Sequence, residues 1–147
     1  MSKDTINSKD DSSVSNVDAT LLFLCRMANV EVGVSITIFL KGTTITGNLI
    51  SGASYCKLTA GKLKAISNSQ GENEAADLMA GFFSELGESH YSTKNGLESI
   101  PTNYLHLSDA QMVSGNGQFF KLTDGLLRVK LVEIDGYFLG RISIENQ

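Results

Sequence analysis

A chain of 147 residues with 41% hydrophobic content holds enough apolar material for one domain with a real core. Its formal net charge of −4, from 12 Lys and Arg against 16 Asp and Glu, leaves no basic cluster to neutralise phosphates. That argues against a nucleic-acid partner and against an anionic membrane surface. No apolar run approaches the roughly 20 residues that span a bilayer, and the polar N-terminus lacks the apolar centre of a secretory signal, so a cytoplasmic protein is expected.

Residues 1–16, MSKDTINSKDDSSVSN, carry almost nothing to bury and read as a disordered tail ahead of a single globular domain over 17–147. Asp18 suits the N-cap of a helix over about 19–29, where Leu21, Leu24, Cys25 and Ala28 form one apolar stripe. Val32, Val34, Ile36, Ile38 and Leu40 then alternate with Gly33, Ser35, Thr37 and Phe39, which predicts a strand over about 32–40 with five aliphatic side chains on one face. Lys41-Gly42 turns the chain, and Ile45, Gly47 and Leu49 alternate with Thr44, Thr46 and Asn48 in a second strand over about 43–51. A third strand is expected at about 54–59, and the polar run from Ala65 to Asn73 reads as a loop. A second amphipathic helix follows at about 74–86, with Ala75, Leu78, Met79, Phe82 and Leu86 on one face and Gly87 as its stop. A Met and Phe stripe of this kind serves either a partner groove or packing on the sheet, and packing on the sheet is the expectation.

Glu88 to Pro101 is a polar loop, and strand signals resume with Tyr104-Leu105-His106-Leu107. Ser114-Gly115-Asn116-Gly117 breaks the chain before Phe119-Phe120-Lys121-Leu122, a short strand or loop. Leu126–Ile134 and Tyr137–Ile144 flank Asp135-Gly136, a strong signal for a closing hairpin through a type I′ turn. The apolar parity shifts once within Leu127, Val129, Leu131, Val132 and Ile134, which suggests a bulge or burial on both faces. The pattern is α+β: a small curled antiparallel sheet or barrel, an N-terminal helix, and a polar and helical insertion at about 62–102 between the third and fourth strands. The sheet should leave strand edges unguarded by proline, because Pro101 lies in a loop.

Little in the chain points to chemistry. Cys25 and Cys56 belong to no CxxC pair and read as small buried hydrophobes, and His90 and His106 are isolated, so neither a metal site nor a cofactor is expected. Asp109, at the end of a strand, is the most interesting acid, and a turn or cap acceptor is its ordinary role. No nucleophile-elbow pattern surrounds a serine, and Ser114–Gly117 lacks the Lys-Ser/Thr of a phosphate loop. The reading is of a protein that is not an enzyme.

Three blocks resemble one known family. Ile36-Thr37-Ile38 with Gly42, then Ile45-Thr46-Gly47-Asn48-Leu49-Ile50-Ser51-Gly52 and Tyr55, form the first. Tyr104-Leu105-His106-Leu107-Ser108-Asp109-Ala110 form the second, and Arg128 through Val132-Glu133-Ile134-Asp135-Gly136 with Phe138-Leu139-Gly140 the third. In this order, over about residues 20–142, they resemble the gas vesicle accessory protein U family, and Leu24 to Asn29 fit its leading helix. The chain departs from the family pattern at Leu127-Arg128-Val129-Lys130. The resemblance implies a cytoplasmic, non-enzymatic accessory protein associated with gas vesicles. It would act on vesicle assembly or vesicle–vesicle association, with the shell or other gas vesicle proteins as partners; self-association into a ring or small oligomer is expected separately, from pairing of the unguarded strand edges. The motif residues Gly42, Gly47, Gly52, Tyr55, Asp109, Asp135, Gly136 and Gly140 would be structural. The runner-up is an Sm-like RNA-binding module, to which Phe39-Leu40-Lys41-Gly42 and Gly47 are similar. Against it, the stretch after Gly52 lacks the Asp and Asn of that family's base pocket, and Asp135-Gly136 stands where its Arg-Gly would be.

Overall fold

The computed structural model describes residues 17–69, 71 and 73–143; the expected tail at 1–16 lies outside them. Helix α1 spans Ala19–Asn29, with the Asp18 carboxylate accepting from the Leu21 N–H at 3.1 Å, the predicted cap and the predicted helix. Strands β1 (Ser35–Leu40) and β2 (Thr43–Ile50) pair antiparallel, with Leu40 opposite Thr43. Their two-residue loop has φ of 45° at Lys41 and 81° at Gly42, both in the left-handed region that a type I′ turn requires. Helices α2 (Gly52–Ser69) and α3 (Glu74–His90) follow as a pair, then β3 (Tyr104–Val113), β4 (Phe119–Lys121), β5 (Leu127–Lys130) and β6 (Gly136–Leu139). The sheet runs β4-β3-β2-β1-β6, and β5 pairs with the other half of β3's outer edge. It is open, because no ladder among the described residues joins β6 to β4 or β5. The α+β class holds, with an N-terminal helix and helices inserted among the strands.

The principal core lies under α1. Leu21, Cys25 and Ala28 of the helix pack on Ile36 and Ile38 of β1, Ile45 and Leu49 of β2, and Leu105 and Leu107 of β3. Each aliphatic side chain buried here contributes about 1.5–3 kcal/mol relative to exposure. The predicted alternation of β1 is real from Ser35 onward. Val32 and Val34 precede the strand and stay exposed, so the five-residue greasy face is shorter than expected.

Three expectations are corrected. The third strand at 54–59 is the beginning of α2, which also absorbs most of the loop expected at 65–73. Ser51 caps this helix, its hydroxyl accepting from the Ser54 N–H at 2.9 Å. The insertion therefore separates the second and third strands. Gly87 does not stop α3, which continues to His90; the glycine instead lets the two helices approach, because a Cβ there would stand 3.0 Å from Cβ of Cys56. Finally, the closing hairpin does not exist. β5 pairs with β3 and β6 with β1, and a 3₁₀ turn over Leu131–Glu133 carries the chain between them. The parity shift marks this turn: Leu131 drops into the core while Val132 is exposed. Asp135-Gly136 consequently forms no type I′ turn, and φ at Gly136 is not positive. Asp135 clamps the other turn, accepting from the Lys41 N–H at 2.8 Å and from its ammonium at 3.3 Å. These bonds hold its exposed carboxyl below the usual carboxylate range.

The segment after β6 crosses the face of the first hairpin opposite α1. Thr37 and Thr46, on what alternation makes the polar face, are fully buried. Their hydroxyls meet at 3.0 Å, Thr37 donates to the Gly140 carbonyl at 2.9 Å, and Thr46 accepts from the Ile142 N–H at 3.1 Å. Arg141 donates to the Asp109 carbonyl at 2.7 Å and to Asn48 Oδ1 at 3.3 Å. Asp109 itself has φ 50° and sits in a bulge, where Asp109 and Ala110 together oppose Gly47.

Two glycine substitutions test this packing. At Gly52 a Cβ would lie 2.2 Å from Cδ1 of the Tyr91 ring, so Gly52→Ala should lower stability by about 1–3 kcal/mol. At Gly136 a Cβ would meet only the Phe39 ring at 3.8 Å, and Gly136→Ala should stay within about 0.5 kcal/mol of the parent. Urea unfolding of the pair checks both; a large loss at Gly136 alone would restore the hairpin.

Candidate interaction surface

The α2–α3 pair is built on a seam of small residues. Cys56, Ala60 and Ser67 of α2 and Ala76 and Ala80 of α3 are buried, at the three-to-four-residue spacing that keeps side chains on one helix face. Asn73 caps α3, its side chain accepting from the Ala76 N–H at 3.2 Å. Such a seam brings two backbones close but gives little apolar area, so the helical period of α2 is carried by small residues and not by large hydrophobes. The discoverable signals were the Ser51 cap and the recurrence of Gly52, Cys56, Ala60 and Leu63.

One end of the pair is pinned to the sheet by a second cluster of Cys56, Tyr91 and Ile100 with Tyr55, Phe83 and Leu86. His106 of β3 points into it. Its ring lies 4.8 Å from that of Tyr55 and 5.4 Å, edge-on, from that of Tyr91, and its Nε2 is buried without a hydrogen-bond partner. Burial, with a smaller contribution from nearby Arg128, pushes its pKa down to about 3. Arg128 itself lies 3.9 Å over the Tyr104 ring, a cation–π contact. Burial also raises the thiol pKa of Cys25 to about 11 and that of Cys56, in keeping with inert core cysteines.

The Met and Phe stripe of α3 does not pack on the sheet. Leu78 is 77% exposed, Phe82 61% and Met79 48%, and Ala75 is exposed beside them; only Leu86 turns inward. α3 packs mainly along α2, and the stripe lies about a third of a turn round from the Ala76–Ala80 seam. A shallow depression of about 250 Å³ between Phe82, Leu86 and His90 continues it. A contiguous apolar stripe rimmed by polar residues is the usual mark of an interaction surface. A lesser patch joins Phe39 and Phe138, ring centroids 6.2 Å apart, with Leu139 on β6.

The charges of the helix pair are segregated. α2 carries Lys57, Lys62 and Lys64 and no acid; α3 carries Glu74, Asp77, Glu85 and Glu88 and no Lys or Arg. Among the described residues no ion pair joins the two helices, and Lys62 reaches Asp124 at 2.7 Å. Glu74 and Asp77 favour the positive end of the helix dipole, but Glu85 and Glu88 oppose its negative end. Helix stability does not account for them.

The motif residues are spread over the fold, with two local gatherings. Gly47 and Asp109 meet at the β3 bulge, Gly140 bonds to β1 through Thr37 just before Arg141 reaches Asp109, and Gly42 and Asp135 lie at the first turn. Gly136 opens β6, while Gly52 and Tyr55 open α2 and touch the second cluster. Among the described residues no group of three or more His, Cys, Asp or Glu gathers as a metal site.

Two measurements follow. Phe82→Ser should change stability by no more than about 0.5 kcal/mol; a sheet-packed phenylalanine would cost several times that, and a loss of about 3 kcal/mol would return the stripe to the core. His106 stays neutral in the fold, whereas the unfolded chain takes up its proton below the ordinary value of 6.5. Stability should therefore fall as pH drops from about 6.5 toward about 3, by up to about 1.4 kcal/mol per pH unit for one proton. His106→Leu should reduce that slope, which urea midpoints between about pH 7 and about pH 5 would show.

Comparison with curated proteins and with solved structures gave no match. A family model described as gas vesicle protein GvpU-like matches residues 18–142, from the cap of α1 to the segment that covers Thr46. The chain belongs to the GvpU-like family of gas vesicle proteins.

Proposed function

We propose that this protein is a non-enzymatic, cytoplasmic accessory protein of gas vesicle formation, acting on vesicle assembly or vesicle–vesicle association through self-association and contacts with gas vesicle proteins. The exposed stripe of Leu78, Met79 and Phe82 carries this reading. It sits on a helix attached to the body mainly through its neighbour, so a partner can cover it without disturbing the core. Two polar groups weighed for chemistry have places in the frame: Asp109 in a bulge and His106 in an aromatic cluster. Edge-to-edge pairing, the other route to self-association, has short strands to work with. β4 has three residues and β5 and β6 four each, and short edge strands blunt such pairing.

Flotation tests the reading directly. Purified vesicles mixed with the protein should carry it to the surface and cluster in light microscopy. Phe82→Ser with Leu78→Ser should release it while leaving its thermal midpoint in place. If the unaltered chain stays in the subnatant and vesicle dispersion does not change, the protein does not act on formed vesicles or their association. A normal vesicle yield in cells lacking the gene would then exclude the assembly role as well.

A further inference from the structure

The stripe on α3 has a matching surface on the same molecule. On α2, the side turned away from the Cys56–Ala60 seam is formed by Leu58, Gly61 and Ala65, all exposed and spaced to lie in line. Lys57 and Lys64 border that line, as Glu74 and Glu85 border the stripe of α3. Both surfaces are apolar along the middle and charged at the rim, with opposite signs. They face away from one another across the helix pair, so neither can satisfy the other within one chain.

We propose that the α3 stripe of one copy docks on the outer face of α2 of a second copy. Phe82 and Leu78 would lie along Leu58, Gly61 and Ala65, with Glu74 and Glu85 meeting Lys57 and Lys64. Charge complementarity selects this pairing. Two α3 stripes face to face would oppose acids with acids, and two α2 faces lysines with lysines, both disfavoured. The absence of a side chain at Gly61 lets a large partner group approach the α2 backbone. Because the two surfaces differ, the contact is head-to-tail, and repetition gives an open chain or a ring rather than a closed pair. An open chain of copies would present the surfaces left uncovered, among them the Phe39–Phe138 patch, many times over, so that avidity replaces a tight single site and loss of the stripe loosens vesicle binding by breaking the chain of copies. The contact is between copies of this chain and does not depend on which vesicle component the protein meets.

Charge reversal on the full chain tests it. Light scattering over a dilution series reaching about 100 μM, a range in which weak interfaces are populated, should show mass rising with concentration and falling with added salt. Lys57→Glu with Lys64→Glu should weaken association by about tenfold, and so should Glu74→Lys with Glu85→Lys, because each sets like charges at the two rim positions that face each other across the contact. Mixing the two doubly substituted chains should restore it, since the basic α3 of one then meets the acidic α2 of the other. All four positions are exposed, and far-UV dichroism checks the fold; if either variant unfolds, Lys64→Gln and Glu85→Gln should each weaken association by a smaller factor. Monomers throughout the series, association indifferent to both reversals, or a mixture no larger than its parts would overturn the proposal. Flotation of the unaltered chain with vesicles would separate this failure from that of the vesicle reading.

Discussion

Burial of β3 on both faces at residues 105–107 is the constraint on which the rest of the molecule depends. Leu105 and Leu107 point into the core beneath α1, and His106 points the other way, beneath the helix pair. A strand with one solvated face could have carried a small α-on-β domain alone. Here the second face must be covered, and the segment inserted between β2 and β3 covers it. Gly52 follows directly: the chain leaves β2 and begins α2 against Tyr91 with no room for a Cβ. His106 shows the cost of the arrangement, for its Nε2 is desolvated without a partner, and such a group typically costs about 1–3 kcal/mol.

That covering role engages Tyr55, Cys56 and the C-terminal part of α3, and leaves most of α3 packed along α2 alone. A seam of alanine, cysteine, serine and glycine holds the two helices close while consuming few large side chains, so the large ones of α3 are left over on the outside. Most proteins would bury a Leu, Met and Phe stripe. Its exposure here, with acids at its rim and lysines on the neighbouring helix, links an economical internal interface to a surface suited to association.

A second economy operates on the opposite side of the sheet. The C-terminal segment from Gly140 to Ile142 lies over β1 and β2, and the threonines it covers bond to its backbone and to each other. Buried hydroxyls without partners would destabilise the fold; fully paired, they fix where the segment crosses. Arg141 ties the same segment to the β3 bulge through the Asp109 carbonyl, so the bulge, the crossing and the β6 register support one another.

By itself the sequence determined much of the local structure, α2 excepted. The α1 helix with its Asp18 cap, the β1–β2 hairpin, β3 and the amphipathic character of α3 were all legible, because caps, turns and periodicity are properties of neighbouring residues. The family was legible too, from three blocks in order. What only the tertiary structure decided was pairing and exposure. Asp135-Gly136 has the chemistry of a tight turn, yet burial of Leu131 turns the chain toward β1, and the carboxylate serves a turn made by distant residues. Tyr55 to Thr59 have the composition of a strand, but contacts with α3 stabilise the helical alternative. An amphipathic stripe announces that a face is apolar; whether the sheet or another molecule covers it depends on where the helix is anchored. Here the anchor is Cys56, Tyr91 and His106, residues scattered along the chain and brought together only by the fold.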